Sequence, residues 1–239
     1  GNRKLEDGNM CKSCASLLSP WFSERRSSTV EEIREQLKYR EENKENVAAF
    51  NASAVYGDET KVIIDEGKGR LIVSSAKNWK ETNPDVIEAS QILGCEIDIE
   101  EGKNEIQYKT ADGKYEGFVP KKYAHFYDFS IKINVNHPYF NEMVFKLNRS
   151  RIDNDAETRL NNRTAGVGLT ISNAAQVRSS AEYRKYDQMA NEIKAAVMKL
   201  RQEVKEAAAP KKAVICQCCG ATTIPDANGC CEYCGGAAE

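Results

Sequence analysis

The tightest constraint on how this chain folds lies near its C-terminus. There Cys216-Gln217-Cys218-Cys219-Gly220 is matched, after a short loop, by Cys231-Glu232-Tyr233-Cys234-Gly235. A C-x-x-C pair lets two thiolates of one tight turn reach the same ion, and four such sulfurs at roughly 2.3 Å give the closed tetrahedron of a structural zinc site. The glycine after each pair can take the positive φ that turns backbone N–H groups toward the sulfurs. Between the pairs, Thr223-Ile224-Pro225 reads as a short strand and Asp226-Ala227-Asn228-Gly229 as a turn. A redox dithiol or a disulfide staple also uses cysteine pairs, but neither needs the knuckle to be duplicated. The expected zinc ligands are therefore Cys216, Cys219, Cys231 and Cys234, with Cys218 and Cys230 out of phase as bystanders, either of which could substitute as a ligand. Such a closed site has no open position for a substrate.

A second pair, Cys11 and Cys14, follows Lys4-Leu5-Glu6-Asp7-Gly8-Asn9-Met10. Asp7-Gly8 marks a hairpin turn and Ala15 to Leu18 begin a short helix, so residues 1–22 look like the second half of a zinc finger. Two thiolates do not complete a structural zinc site, and the expectation is a further C-x-x-C pair upstream of Gly1. An unmetallated dithiol, or ligands lent to a partner chain, are the rival readings. Cys95, alone in Cys95-Glu96-Ile97-Asp98-Ile99, reads as a small core residue.

The 239 residues are 41% hydrophobic and 29% charged, with a formal net charge of −2. That balance offers no electrostatic footprint for nucleic acid or an anionic membrane. Nine cysteines against two histidines, arranged in pairs, place the chain in a reducing, cytoplasmic compartment. No apolar run approaches the ~18 residues a membrane span needs.

Between the cysteine sites the period of the sequence changes twice. Ser28 with Glu31 and Thr29 with Glu32 are overlapping capping boxes that open a charged helix over 28–50, with Val30, Ile33, Leu37 and Val47 as a thin apolar stripe. Its acid–base content predicts a largely solvated linker helix. From Thr60 the period is two. Val62-Ile63-Ile64 and Leu71-Ile72-Val73 flank a glycine turn, and strands follow at Cys95–Ile99, Glu105–Lys109, Phe126–Val135 and Met143–Leu147. Phe129, Ile131, Ile133 and Val135 share one face. About seven short antiparallel strands over 57–149 favour a small barrel or sandwich. Residues 150–176 read as a mobile loop. Tyr186, Met189, Ile193, Val197, Leu200 and Val204 then mark an amphipathic helix over 177–208, stopped by Pro210. Its stripe would dock on the β-domain rather than form a coiled coil of its own.

Seven strands followed by one long helix resemble the pleckstrin-homology-like superfold, which makes the expected class α+β. The wider arrangement is similar to an uncharacterised bacterial family, a domain of unknown function. It comprises the Asp-Gly-Asn-Met-Cys-x-x-Cys half-finger, Leu-Ser-Pro-Trp-Phe at 18–22, the capped helix, Asn-Pro-Asp-Val-Ile at 83–87, Asn-His-Pro-Tyr-Phe at 136–140 and the terminal ribbon over 213–239. Members of that family begin with a complete finger carrying an additional C-x-x-C, which this chain lacks. The resemblance implies metal sites and supplies no activity.

The chain has no glycine-rich phosphate loop, H-E-x-x-H or G-x-S-x-G, and His125 and His137 lie far from any nucleophile motif. His137, before Pro138, reads as a turn residue, and His125 as a packing residue beside Phe126 and Tyr127. The expectation is a non-catalytic zinc adaptor that presents surfaces to protein partners. Nucleic-acid binding by the ribbon has only Lys205, Lys211 and Lys212 to draw on, opposed by Asp226, Glu232 and Glu239. Anionic-lipid binding would use Lys68, Arg70 and the Lys121-Lys122 pair.

Overall fold

A computed structural model describes residues 3–153, 174–208, 213–226 and 229–237. The chain divides into two compact units, residues 1–201 and 202–239. The loop expected over 150–176 falls mostly on residues 154–173, which lie outside the described residues.

The first unit opens with strands β1 (Arg3–Lys4) and β2 (Asn9–Met10), an antiparallel hairpin closed by Leu5 N–H donating to the Gly8 carbonyl at 2.9 Å. Helix α1 (Lys12–Leu17) starts earlier than its apolar residues announce, because the Cys11 sulfur accepts from Cys14 N–H and caps it. Leu5 and Met10 are buried against Ile33 of helix α2 (Val30–Ala48), with Cys14, Leu18 and Phe22 packed around them. The half-finger is thus anchored by apolar contacts with α2.

Of the two overlapping capping boxes, the fold uses Thr29 with Glu32. Thr29 Oγ1 accepts from Glu32 N–H at 3.3 Å, and Glu32 Oε2 accepts from Thr29 N–H at 2.7 Å. The Ser28 hydroxyl donates instead to the Glu24 carbonyl.

Helix α2 is not a solvated linker. Ile33, Gln36, Arg40, Asn43 and Val47 are all buried, at the alternating three- and four-residue spacing of one helix face. Three of the five are polar, so an apolar stripe cannot reveal them. Arg40 and Asn43 find their partner in the segment 83–86. Arg40 donates to Asp85 Oδ1 at 2.8 Å, to the Asn83 carbonyl at 2.6 Å and to the Leu17 carbonyl at 3.0 Å. Asn43 donates to Asn83 Oδ1 and to the Pro84 carbonyl, each at 2.8 Å, and accepts from Val86 N–H. Asn83 holds a left-handed φ of 49°, a conformation that asparagine tolerates better than most residues.

The β-domain begins at Ala54, ahead of the expected Gly57. Strands β3 (Ala54–Gly57), β4 (Lys61–Asp65), β5 (Arg70–Ser74) and β6 (Ile87–Glu88) form a four-stranded antiparallel sheet in that order. Strand β7 (Ile92–Glu105) pairs with β10 (Tyr123–His137), which pairs with β11 (Phe140–Lys146) in a separate three-stranded sheet. A small hairpin, β8 (Gln107–Lys109) with β9 (Tyr115–Gly117), sits between β7 and β10 in the chain. The expected barrel is therefore not closed among the described residues. Nor are the central strands short, since β7 has 14 residues and β10 has 15. Their extra length forms a ribbon that pairs the mostly exposed Glu100–Glu105 with Tyr123–Asp128, which runs from half-buried to the buried Tyr127 and Asp128.

The alternating face of β10 is core as expected, with Phe129, Ile131 and Ile133 fully inaccessible to solvent. Helix α3 (Ala174–Arg178) precedes helix α4 (Ala181–Ala208). Within the first unit, Tyr183 sets its ring edge-on to Tyr127 at 5.1 Å and to Phe129 at 5.0 Å, which docks α4 on the β10 face. Ala190, Ile193 and Val197 are fully buried along the same helix. Lys185 adds an exposed ion pair with Asp58 at 2.8 Å.

Candidate metal centre

In the second unit, strands β12 (Val214–Ile215) and β13 (Thr222–Thr223) pair antiparallel and carry two knuckles of the same construction. In the first knuckle, Cys216 N–H donates to the Ala221 carbonyl at 2.8 Å, and Gly220 N–H donates back to the Cys216 carbonyl at 2.8 Å. In the second, Cys231 N–H donates to the Gly236 carbonyl at 2.7 Å, and Gly235 N–H to the Cys231 carbonyl at 2.8 Å. Gly220 and Gly235 take the left-handed backbone that closes each turn, with φ of 73° and 68°. A side chain would strain both positions. The link between the knuckles turns at Asp226, whose carboxylate accepts from Cys230 N–H at 2.8 Å, while Ala227 and Asn228 lie outside the described residues.

The two turns bring Cys216, Cys219, Cys231 and Cys234 together, with all four sulfurs within 4.8 Å of one another. Cys216 Sγ lies 3.6 Å from Cys234 Sγ, and Cys219 Sγ lies 3.7 Å from Cys231 Sγ. A tetrahedron with metal–sulfur bonds of ~2.3 Å has edges of ~3.8 Å, so these separations suit a four-coordinate ion. They are far too long for disulfides, whose sulfurs sit ~2.05 Å apart. The donor set is all soft sulfur, and Cys216 and Cys231 are buried. The quartet could hold a metal ion.

The backbone favours ionisation at two of the four sulfurs, Cys216 and Cys231, while Cys219 and Cys234 are raised, in part by the neighbouring sulfurs. The Cys216 thiol is drawn down to about 6, chiefly by the Cys219 N–H aimed at its sulfur and then by that of Cys218. At Cys231 burial works against ionisation, yet the N–H groups of Tyr233 and Cys234 prevail and lower that thiol as well. Cys218 and Cys230 stand outside the quartet, as their phase predicts. Gly236 is needed for space, because a Cβ there would fall 2.8 Å from Cys218 Sγ and 3.5 Å from Cys234 Sγ.

Cys11 and Cys14 are a two-sulfur knuckle on the α1 N-terminus. The exposed Cys11 thiol is lowered to about 7, first by the Ser13 hydroxyl 3.0 Å away and then by Cys14 N–H. The Cys11 sulfur in turn raises the Cys14 thiol. Among the described residues no third histidine, cysteine or carboxylate joins them. Burial pushes the Cys95 thiol up to about 11, which fits an inert core residue.

Elsewhere the structure revises several single-residue readings. His137 is no turn residue. It is 7% exposed, its ring stacks on Phe140 at 4.0 Å, and its Nε2 lies 3.0 Å from Tyr39 Oη. Arg70 does not face a membrane, since it is 6% exposed and bonded to Asp65 and the Ala49 carbonyl. Lys121 is paired with Glu105 at 3.0 Å, and Lys68 Nζ donates to the Ala49 carbonyl. Lys211, Lys212 and Glu239 lie outside the described residues.

The residues that sequence reasoning missed form a buried polar hub on Asp85. Ser19 donates to Asp85 Oδ2 at 2.8 Å, while Arg40 and Tyr39 donate to Oδ1. His137 joins through Tyr39. Leu-Ser-Pro-Trp-Phe, Asn-Pro-Asp-Val-Ile and Asn-His-Pro-Tyr-Phe, scattered along the chain, thus converge on one face of α2.

The described residues define a mixed α+β protein with antiparallel sheets, a long helix near the C-terminus and a four-cysteine cluster suited to a metal ion. Residues 1–36 match the sequence profile of a family described as a domain of unknown function (DUF4428). That stretch holds the β1–β2 hairpin, the Cys11–Cys14 knuckle and the start of α2. No curated protein and no solved structure matches the chain. No described helix is long and apolar enough to cross a membrane.

Proposed function

We propose that this chain is a non-catalytic, zinc-binding adaptor of a reducing, cytoplasmic compartment, which presents protein-interaction surfaces on a metal-stabilised frame. One observation carries the reading: four cysteine sulfurs from two matching knuckles, within 4.8 Å of one another. Cys216, Cys219, Cys231 and Cys234 would hold zinc, which supplies cross-linking and no chemistry at a closed site. Cys11 and Cys14 would complete a second site with ligands from outside the described residues. The four-plus-three strand order followed by α4 favours a pleckstrin-homology-like sandwich for the middle of the chain. The engagement of Arg70, Lys68 and Lys121 within the protein removes the motive for an anionic-lipid role.

The state of the histidines supports a non-catalytic reading. His137 is stacked and hydrogen-bonded inside the hub, and His125 pairs with Glu101 at 3.2 Å on the β7–β10 ribbon. Among the described residues neither ring hydrogen-bonds to a serine or cysteine. The test is zinc content by mass spectrometry of the purified chain. The Cys216→Ser and Cys231→Ser variants should each lose the ribbon's zinc, and Cys218→Ser should keep it. Unchanged metal in the first two would refute the ligand assignment. Affinity purification that returns no stoichiometric protein partner would refute the adaptor role.

A further inference from the structure

Within the first unit, a cleft of about 760 Å³ lies between residues 20–24, the opening turns of α2, and Pro138 with strand β11. Its apolar lining combines four aromatic rings, Trp21, Phe22, Tyr139 and Phe140, with Pro20, Pro138 and Val144. The first three rings are half-buried, so each keeps part of its surface open to solvent. Two of the rings are held by packing. Phe140 stacks on His137, and Tyr139 packs on Tyr39 with ring centroids 5.2 Å apart.

The charge of the cleft has one sign. Glu24, Glu32, Glu35 and Glu142 line it, and among the described residues no lysine, arginine or histidine does. Glu142 is answered by Lys132 at 2.8 Å, and Glu32 caps α2. Glu24 and Glu35 have no cationic partner among the described residues. These carboxylates do not converge into a group with metal-ligand spacing, so the cleft does not suit an inorganic cation.

Aromatic faces and exposed carboxylates together select a cation carried on an apolar stem. A guanidinium or ammonium lies over a ring while its methylenes cover the ring's apolar surface. The volume falls in the range of sites that enclose an organic ligand of several residues, and a lone quaternary ammonium would leave most of it unfilled. A polyanion such as nucleic acid or an acidic membrane is repelled. We propose that this cleft docks an extended, lysine- or arginine-bearing segment of a partner protein. The proposal rests on the adaptor reading and names the chemistry of the partner.

The test uses the zinc-loaded full chain and two fluorescein-labelled decapeptides, one alternating lysine or arginine with leucine, the other with glutamate at every basic position. Binding is read by anisotropy. The basic peptide should bind and the acidic one should not. Raising the salt from ~50 to ~300 mM should weaken binding, as expected for exposed charge pairs. The double variant Glu24→Lys with Glu35→Lys alters only exposed positions and should lose ~10-fold or more in affinity, whereas Glu182→Lys on α4 should match the parent. Equal binding by the double variant, equal binding of the acidic peptide, no binding of the basic one, or displacement by free trimethyl-lysine would each overturn the proposal. Failure here with zinc bound, and with a stoichiometric partner still recovered, leaves the adaptor reading standing. Failure of the zinc or partner tests leaves the peptide result to be judged separately.

Discussion

Arg40 and Asp85 meet at 2.8 Å with both side chains buried, the guanidinium 8% and the carboxylate 0% exposed. The pair joins the middle of α2 to the loop before β6. Ser19 and Tyr39 donate to the same carboxylate, so its lone pairs are well used. Removing one partner strands the other charge away from water. Asp85→Ala should therefore cost ~3–5 kcal/mol, read from the urea midpoint. The double change Arg40→Met with Asp85→Leu removes both charges and should cost less than the two single changes summed. Strict additivity would show that the two residues are not coupled.

His137 makes folding sensitive to mild acid. The Tyr139 N–H donates to its Nδ1 at 3.3 Å, so the neutral ring carries its proton on Nε2, directed at Tyr39 Oη. Burial lowers its pKa, with a smaller opposing pull from Asp85. In the unfolded chain the ring titrates near ~6.5. The unfolded state thus takes up a proton first, and stability falls as the pH drops from ~6.5 through the lower folded pKa. Urea midpoints between pH 7.5 and 5.5 should decline for the parent and decline less for His137→Gln. Identical slopes would remove His137 as the cause.

Gln36 is fully buried in the α2 face, and neither its amide oxygen nor its nitrogen has a hydrogen-bond partner among the described residues. A buried amide left without partners costs ~1–3 kcal/mol. Gln36→Leu, of similar volume, should raise stability by ~1 kcal/mol in thermal or urea unfolding. A loss of that size would mean that the amide is satisfied by a partner the fold conceals.

Among the described residues the ribbon has almost no apolar core, since Cys216 and Cys231 are its buried cluster with Val214 packed against them. Under the proposed zinc binding, its folding would draw on the ion, which contributes ~10–16 kcal/mol in comparable finger peptides. A zinc chelator should abolish amide-exchange protection at Cys216, Gly220, Cys231 and Gly235. Amides of β4, β5 and β10 should keep theirs. Protection that survives chelation in the knuckles would deny the metal its structural part.

The ribbon was legible from sequence because its information is local. Two C-x-x-C-G turns set their own sulfur spacing through bonds no more than five residues long, such as Cys216 N–H to Ala221. The β10 core face was legible for a similar reason: a period of two in Phe129, Ile131, Ile133 and Val135 admits one pleat. The Thr29 cap and the start of α2 needed only four residues.

What hides from sequence is polar burial and long-range pairing. Gln36, Arg40 and Asn43 follow the helical period but carry the chemistry of a solvent face, so the stripe of α2 looked thin. Only the arrival of Asn83, Pro84 and Asp85, some forty residues later, satisfies Arg40 and Asn43 and makes their burial affordable. The β7 side of the outer ribbon, Glu100–Asn104, was equally silent, since its mostly exposed polar residues carry no apolar alternation. Local backbone chemistry alone determined the knuckles, caps and apolar pleats. Tertiary structure decided which polar groups leave water, because a hydrogen-bonding side chain is buried only where distant partners replace the solvent it gives up.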